Sequence, residues 1–225
     1  MVGVSKNVAL MIPSAPRNLY ASRMKRLIDV SLAAVAVVIL LPLMGLVALA
    51  VLCVLGPPVF FCDERAGLNG CPIQVVKFRS MSNSKDAAGK HLPDEARLGF
   101  FGRFLRRTSL DELPQLFSII GGSMSLIGPR PLPIRYIARY SPRQAARLLV
   151  RPGLTGWAQV NGRNAVAWPE RLELDARYVE MLGRPGALFT DCWIVGLTML
   201  QLVSQAITGR GIASPGSATM QEFAP

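Results

Sequence analysis

The sequence predicts an α/β fold, mostly α with a short β-hairpin and strands, carried on one apolar membrane helix near the N-terminus. Three observations predict it. Residues 30–55 form a charge-free run of 26 residues, which as a helix would reach about 39 Å, enough to cross a bilayer. Residues 72–78 alternate apolar and polar side chains after an Asn69-Gly70 turn, the pattern of a hairpin strand. After Asp191, the residues Ile194, Leu197, Leu200, Val203 and Ile207 recur at helical spacing.

Composition narrows the function classes. The 225 residues hold one domain with a core plus appendages. A 51% hydrophobic content combined with a net charge of +11 points to an anionic membrane surface or to phosphorylated substrates. Arginine outnumbers lysine 20 to 5, and its planar fork suits phosphate oxygens, although a GC-rich genome gives the same bias. Cys53, Cys62, Cys71 and Cys192 form no CxxC pair and read as unpaired and reduced. The single histidine, His91, has no supporting motif, so acid–base or nucleophilic work falls to carboxylates. About +4 of the charge lies in residues 1–55, and no helix-turn-helix, zinc or RNA-binding signature occurs, which argues against a nucleic-acid partner.

In order, residues 1–22 read as an arm, 23–56 as the membrane helix, 57–210 as the main domain and 211–225 as a tail. Arg23, Lys25 and Arg26 precede the apolar run, and the positive-inside rule puts them in the cytoplasm. A straight span would then send the domain outside. Pro42, near the middle of the run, removes one backbone bond and offers a kink through which the helix enters and leaves by one face. Sequence physics leaves the two topologies balanced.

Gly56-Pro57-Pro58 breaks the helix, and a hairpin bearing Lys77 and Arg79 follows. Residues 83–94 are polar and loop-like. Residues 94–107 read as one amphipathic helix with Leu98, Phe101, Phe104 and Leu105 near one face, lying at the membrane surface or on the core. Residues 106–130, RRTSLDELPQLFSIIGGSMSLIGPR, place the adjacent acids Asp111 and Glu112 after two arginines and before Arg130, which has a proline on each side. Paired carboxylates beside arginines suit metal-assisted phosphate chemistry. Pro114 fits the first turn of a helix starting near Asp111, where Asp111 would be a cap. Taken alone, the acids fit the cap better than catalysis; the rest of the chain reverses that.

Arg135, Arg139, Arg143 and Arg147 follow at four-residue spacing, a basic stripe for lipid headgroups if the segment is one helix. Residues 151–164 read as strand and turn and 168–182 as a helix. The last helix runs from Asp191 to about Gly209, with Thr198, Gln201, Gln205 and Thr208 as a polar stripe opposite the apolar one. That stripe argues for an interfacial or core-facing helix and against a second span.

Four motifs, KFRSM at 77–81, RRTSLDELPQL at 106–116, MSLIGPRPL at 124–132 and RPGLTGWAQVNGRN at 151–164, together resemble the monotopic phosphoglycosyl transferases, the bacterial sugar transferase family. The resemblance covers roughly residues 24–223, and the short length and MQEF tail look most like the minimal, bacillosamine-type initiating members. It implies a UDP-sugar and a polyprenyl phosphate (undecaprenyl phosphate) reacting to polyprenyl-diphosphate-sugar and UMP, in the first membrane step of glycoprotein, O-antigen, capsule or exopolysaccharide assembly. It implies Asp111 as nucleophile, with Glu112 beside Mg²⁺. Lys77, Arg106, Arg130 and Asp191 fall on substrate- and phosphate-binding positions, as does Asp175 in a matching LELD segment. It further implies a re-entrant helix kinked at Pro42, inner-membrane phospholipid as surroundings, the domain on the cytoplasmic face, and downstream glycosyltransferases as possible partners. Two departures stand out: Leu41 replaces the serine usual before that proline, and Gly121-Gly122-Ser123 replaces Lys-Gly-Asp. The competing reading is an inactive membrane-anchored scaffold, against which the intact Asp111, Glu112 and Arg130 speak.

Overall fold

In the computed structural model of the protein, residues 15–16, 18–162, 167–208 and 223 are described. Most of the expected arm, most of the tail, and Arg163 and Asn164 of the last motif lie outside the described residues. The longest element is helix α1, Lys25–Leu55, which is continuous through Pro42. A π-helical turn, Tyr20–Met24, leads into it. The expected arm is therefore too long: Tyr20 and Ala21 are helical and pack on a core cluster with Tyr178 and Ile194.

The foot of α1 is polar and buried. Lys25 is 8% and Asp29 3% exposed. Asp29 accepts from Ser125 Oγ at 2.6 Å and the Leu126 amide at 3.2 Å. Arg26 donates to the carbonyls of Ile119 and Ile120 at 2.6 and 3.0 Å. Further along, Ala33 packs with Val75, Leu116, Ile119 and Met124, and Met44, Val47 and Val51 pack with Phe78 and Leu105. At the far end, Arg79 donates to the carbonyls of Leu55, Gly56 and Pro57, satisfying groups that a helix terminus leaves open. Its other face, from Leu27 to Val54, is exposed and apolar.

The hairpin forms as expected. Strands β1, Phe60–Ala66, and β2, Pro72–Phe78, are antiparallel with Phe61 opposite Lys77. A short turn at Leu68–Gly70 joins them. Residues 94–107 are not one helix: α2, Asp94–Arg97, and α3, Phe100–Thr108, are separated by a non-helical Leu98 and an extended Gly99. The break puts Leu98 and Leu105 inside and leaves Phe104 half exposed. At Gly102 a Cβ would lie 1.8 Å from the Ser80 carbonyl oxygen; the bare glycine lets α3 press against the end of the hairpin.

A 3₁₀ turn, Leu110–Glu112, precedes helix α4, Gln115–Ile120. The helix does not start at Asp111, and no side chain caps it; Pro114 is its N-cap. Strand β3, Ser125–Ile127, pairs in parallel with β4, Gly153–Thr155. A Cβ on Gly153 would sit 2.0 Å from the Gly128 amide nitrogen, which explains the glycines in both motifs.

The predicted basic stripe is broken up. A 3₁₀ segment at Ile134–Arg139, helix α5 at Pro142–Ala145 and a second 3₁₀ turn at Ala146–Leu149 replace a single helix. Pro142 forces the restart, with Ser141 forming a capping box with Gln144. Arg143 pairs with Glu173 and Glu180, while Arg147 is buried. Residues 151–164 also contain a helical turn, α6 at Trp157–Val160. Helix α7 spans Trp168–Leu182, as predicted.

Helix α8, Ala187–Thr208, starts a turn before Asp191, which is not its cap. Its polar stripe faces the protein: Thr198 bonds Thr155 at 2.7 Å, Gln201 donates to the Val160 carbonyl at 2.7 Å, and Gln205 is buried. Phe189, Trp193, Met199, Leu200 and Val203 face outward. The core-facing side thus carries these polar residues beside Ile194 and Leu197, because β4 and α6 offer them hydroxyl and carbonyl partners. By length and composition, α1 and α8 are both apolar enough to cross a membrane.

Candidate active site

Two segments converge on Glu112. Lys77, one residue before the end of β2, reaches its Oε1 at 2.6 Å. Arg130, held between Pro129 and Pro131, reaches the same oxygen at 2.8 Å. Both bonds land on Oε1, leaving Oε2 without a partner among the described residues. Burial pushes the Glu112 carboxyl up, but the charges and hydrogen bonds of Arg130 and Lys77 outweigh it and hold the group well below the usual carboxylate range. Glu112 in turn raises the pKa of Arg130.

Asp111 is 7% exposed, and no hydrogen bond or ion pair holds it among the described residues. Burial, then the neighbouring Glu112 charge, pushes its carboxyl up to about 6, against the pull of Lys77, Arg106 and Arg130. Asp111 is placed by Ser109, a non-glycine residue in the left-handed region with φ 56. Such a conformation costs about 1 kcal/mol or more and collects at working sites. It reverses the chain between Arg106 on α3 and the 3₁₀ turn, so that Arg106, Lys77 and Arg130 all act on Asp111. Arg106 is steadied by its Nε, which donates to Ser80 Oγ at 3.0 Å. The arrangement is a buried, weakly restrained carboxylate ringed by three cations, beside a second carboxylate that ties two of them down. A nucleophile for an anionic phosphorus centre has this design: reactive oxygen available, repulsion screened.

The remaining predicted residues lie elsewhere. Asp175, 2% exposed, pairs with Arg147 at 3.0 Å. Arg147 also donates to the Tyr140 hydroxyl at 2.9 Å and to the carbonyl of Arg130, so Asp175 stands one layer behind Arg130. Asp191 accepts from Lys25 at 2.8 Å, Tyr20 at 2.5 Å and Tyr178 at 2.9 Å, none of them in the Glu112 cluster. Sequence reasoning missed Arg147, Tyr140 and Ser80. No local signal pointed to Arg147, since α7 already carries Arg171 and Arg177 on either side of Asp175.

For Mg²⁺ the donor set fits in one specific way. Among the described residues no group of three metal-ligating side chains occurs, so a closed protein cage is absent there. Mg²⁺ is commonly bound by one or two carboxylates with substrate phosphates completing the octahedron, and the unpartnered Oε2 of Glu112 beside Asp111 supplies that minimum.

Residues 20–205 match the bacterial sugar transferase family. The chain belongs to this family. Within the bacterial sugar transferases it is 44% identical over 169 residues to the uncharacterized sugar transferase EpsL of Bacillus subtilis, covering 75% of this chain and 80% of the relative. It is 40% identical over 215 residues to the UDP-glucose:undecaprenyl-phosphate glucose-1-phosphate transferase of Caulobacter vibrioides, covering 90% of this chain and 79% of the relative. A Xanthomonas campestris enzyme of the same name is 39% identical over 80% of this chain, but the match spans only 39% of that longer protein. The sugar transferase is thus a phosphoglycosyl transferase enzyme, as its motifs predict.

Replacing Glu112 by Gln in the sugar transferase leaves Lys77 and Arg130 facing a neutral amide. The expected result is a fall of about 10²- to 10³-fold in turnover, the usual size for losing one preorganised electrostatic element. Steady-state UMP release checks it.

Proposed function

We propose that the protein moves a sugar 1-phosphate from a UDP-sugar to undecaprenyl phosphate in two steps through Asp111. The observation that carries the reading is the buried, unpartnered Asp111 carboxylate next to a Glu112 that holds Lys77 and Arg130. In the first step an Asp111 oxygen bonds to the sugar-bearing phosphorus and the bridging P–O bond to UMP breaks. In the second, a phosphate oxygen of the polyprenyl phosphate bonds to the same phosphorus and the Asp111–phosphorus bond breaks, restoring the carboxylate. Lys77, Arg106 and Arg130 neutralise the diphosphate as it approaches, and Glu112 fixes two of them. Mg²⁺, when bound at Glu112, supplies further screening and stabilises charge on departing UMP. Asp175 and Asp191 act as supports, Asp175 beneath Arg130 and Asp191 at the foot of α1. UDP-glucose, for which the Caulobacter and Xanthomonas relatives are named, is the first donor to assay, ahead of a bacillosamine-type one.

The same reading places the protein at the cytoplasmic face of a bacterial inner membrane with α1 entering and leaving one leaflet. Support comes from the two ends of α1: Lys25 and Leu55 both engage the same domain, through Asp191 and Arg79. A helix crossing straight through a bilayer has its ends about 30 Å apart on opposite faces. The outward apolar stripe of α8 suits the lipid interface beside it.

Protein in detergent with Mg²⁺ is expected to release UMP from a UDP-sugar, and rapid quenching without acceptor should leave a phosphosugar on Asp111 by mass analysis. Turnover with no adduct on any carboxylate overturns the two-step scheme. With the Asp111 carboxyl near 6, the ionised form is the majority at pH 7. Activity should therefore fall as pH drops through about 6, with kcat/KM losing about tenfold per unit below it. A flat profile from pH 7.5 to 5 contradicts the assignment.

A further inference from the structure

Phe223 lies beyond the family match, which ends at residue 205, yet it is 2% exposed. Its ring sits 5.6 Å from Tyr136, 6.1 Å from Tyr140 and 5.4 Å from Trp168, centre to centre. Its backbone is also held: the amide donates to the Tyr136 hydroxyl at 3.2 Å and its carbonyl accepts from Arg139. One residue is thus clasped by three aromatic rings and two backbone bonds, which a merely trailing segment does not require.

What that clasp adjoins is the support of Arg130. Tyr140 carries the hydroxyl that accepts from Arg147, and the Arg147 guanidinium lies 5.6 Å from the Tyr140 ring centre. Arg147 holds the Arg130 carbonyl. Leu132, two residues past Arg130, is packed in the same cluster as Phe223. Two routes therefore run from Phe223 to the backbone that aims the Arg130 guanidinium at Glu112.

We infer that Phe223 is a positioning residue for Arg130, so that its ring completes the phosphate-binding side of the active site without touching substrate. Removing the ring leaves a void among Tyr136, Tyr140 and Trp168, into which Tyr140 relaxes; Arg147 then loses a partner and the Arg130 backbone its fixed acceptor geometry. The inference rests on the proposed role of Arg130 at the diphosphate.

The test is a double-mutant cycle with two readouts, UMP release and UDP affinity by titration. Phe223→Ala is expected to lower kcat/KM and UDP affinity about tenfold in the wild-type background, within the coupling range of residues sharing a network. In an Arg130→Ala background the same change should cost less than about twofold, because no guanidinium remains to be aimed. An ordinary packing role predicts the same factor in both backgrounds, and that result overturns the inference. So does a Phe223→Ala protein with unchanged kinetics. If Phe223→Ala fails to fold, Phe223→Leu keeps most of the apolar volume and the cycle is run with it, with the same two outcomes. Absence of UMP from every UDP-sugar would refute the proposed reaction; UMP release with an additive cycle refutes the Phe223 role alone.

Discussion

Asp111→Asn is expected to abolish UMP release while making the protein more stable. Loss of a nucleophile costs about 10⁴-fold or more in turnover, and Asn keeps the shape of the side chain. The stability gain follows from linkage. Burial and the Glu112 charge raise the folded-state pKa of Asp111 from 3.8 to about 6, so the folded protein holds the proton more tightly than the unfolded chain does. The contribution of that proton is complete below pH 4 and lost as pH rises through 6; at pH 7.5 the native state carries the whole cost of an ionised Asp111. Removing the charge recovers about 1–3 kcal/mol, a rise of several degrees in Tm for a chain of this size. The gain should shrink towards zero near pH 4. Melting curves in detergent at pH 7.5 and 4.5, beside the UMP assay, check both halves. An Asp111→Asn protein that still turns over removes the nucleophile assignment, and one less stable at pH 7.5 removes the electrostatic account.

Asp175→Ala is expected to give the largest loss of stability. The carboxylate is sealed against Arg147, which is itself 4% exposed, and truncation leaves an unpaired guanidinium in the core. Breaking a buried pair from one side costs about 3–5 kcal/mol. Exchanging both partners for apolar residues of similar size, Arg147→Met with Asp175→Leu, should recover most of it, because no charge is then stranded. Activity should not return in the double variant, since methionine cannot donate to the Arg130 carbonyl. Denaturant unfolding and UMP release together separate the two contributions. Restored stability with restored activity would show that the pair matters only for packing.

Much of this architecture is legible in the sequence where local chemistry decides it. The α1 run, the Asn69-Gly70 hairpin and helix α7 all follow from spacing and turn residues. The Glu112, Lys77 and Arg130 cluster was expected from the motifs as a set. One physical cause stands behind the α8 misreading: periodicity states which residues share a face, not which face is buried. The α8 polar stripe is inside because β4 and α6 present partners to it, which no pattern along α8 records. Arg143 and Arg147, four apart, have different fates, one half-buried beside Glu173 and one buried against Asp175. The break at Gly99 was overlooked because the apolar spacing continues across it. Asp191 was expected as a phosphate ligand, and two of its three partners, Tyr20 and Lys25, come from residues more than 160 positions earlier in the chain.

The polar foot of α1 bears on modularity. Lys25, Arg26 and Asp29 supply the counter-charge of Asp191, the end of α4 and the bond to Ser125. Cutting before residue 57 would thus orphan acids and carbonyls inside the enzyme. Because α1 supplies these partners, grafting a foreign transmembrane segment in its place should yield a chain without a working centre.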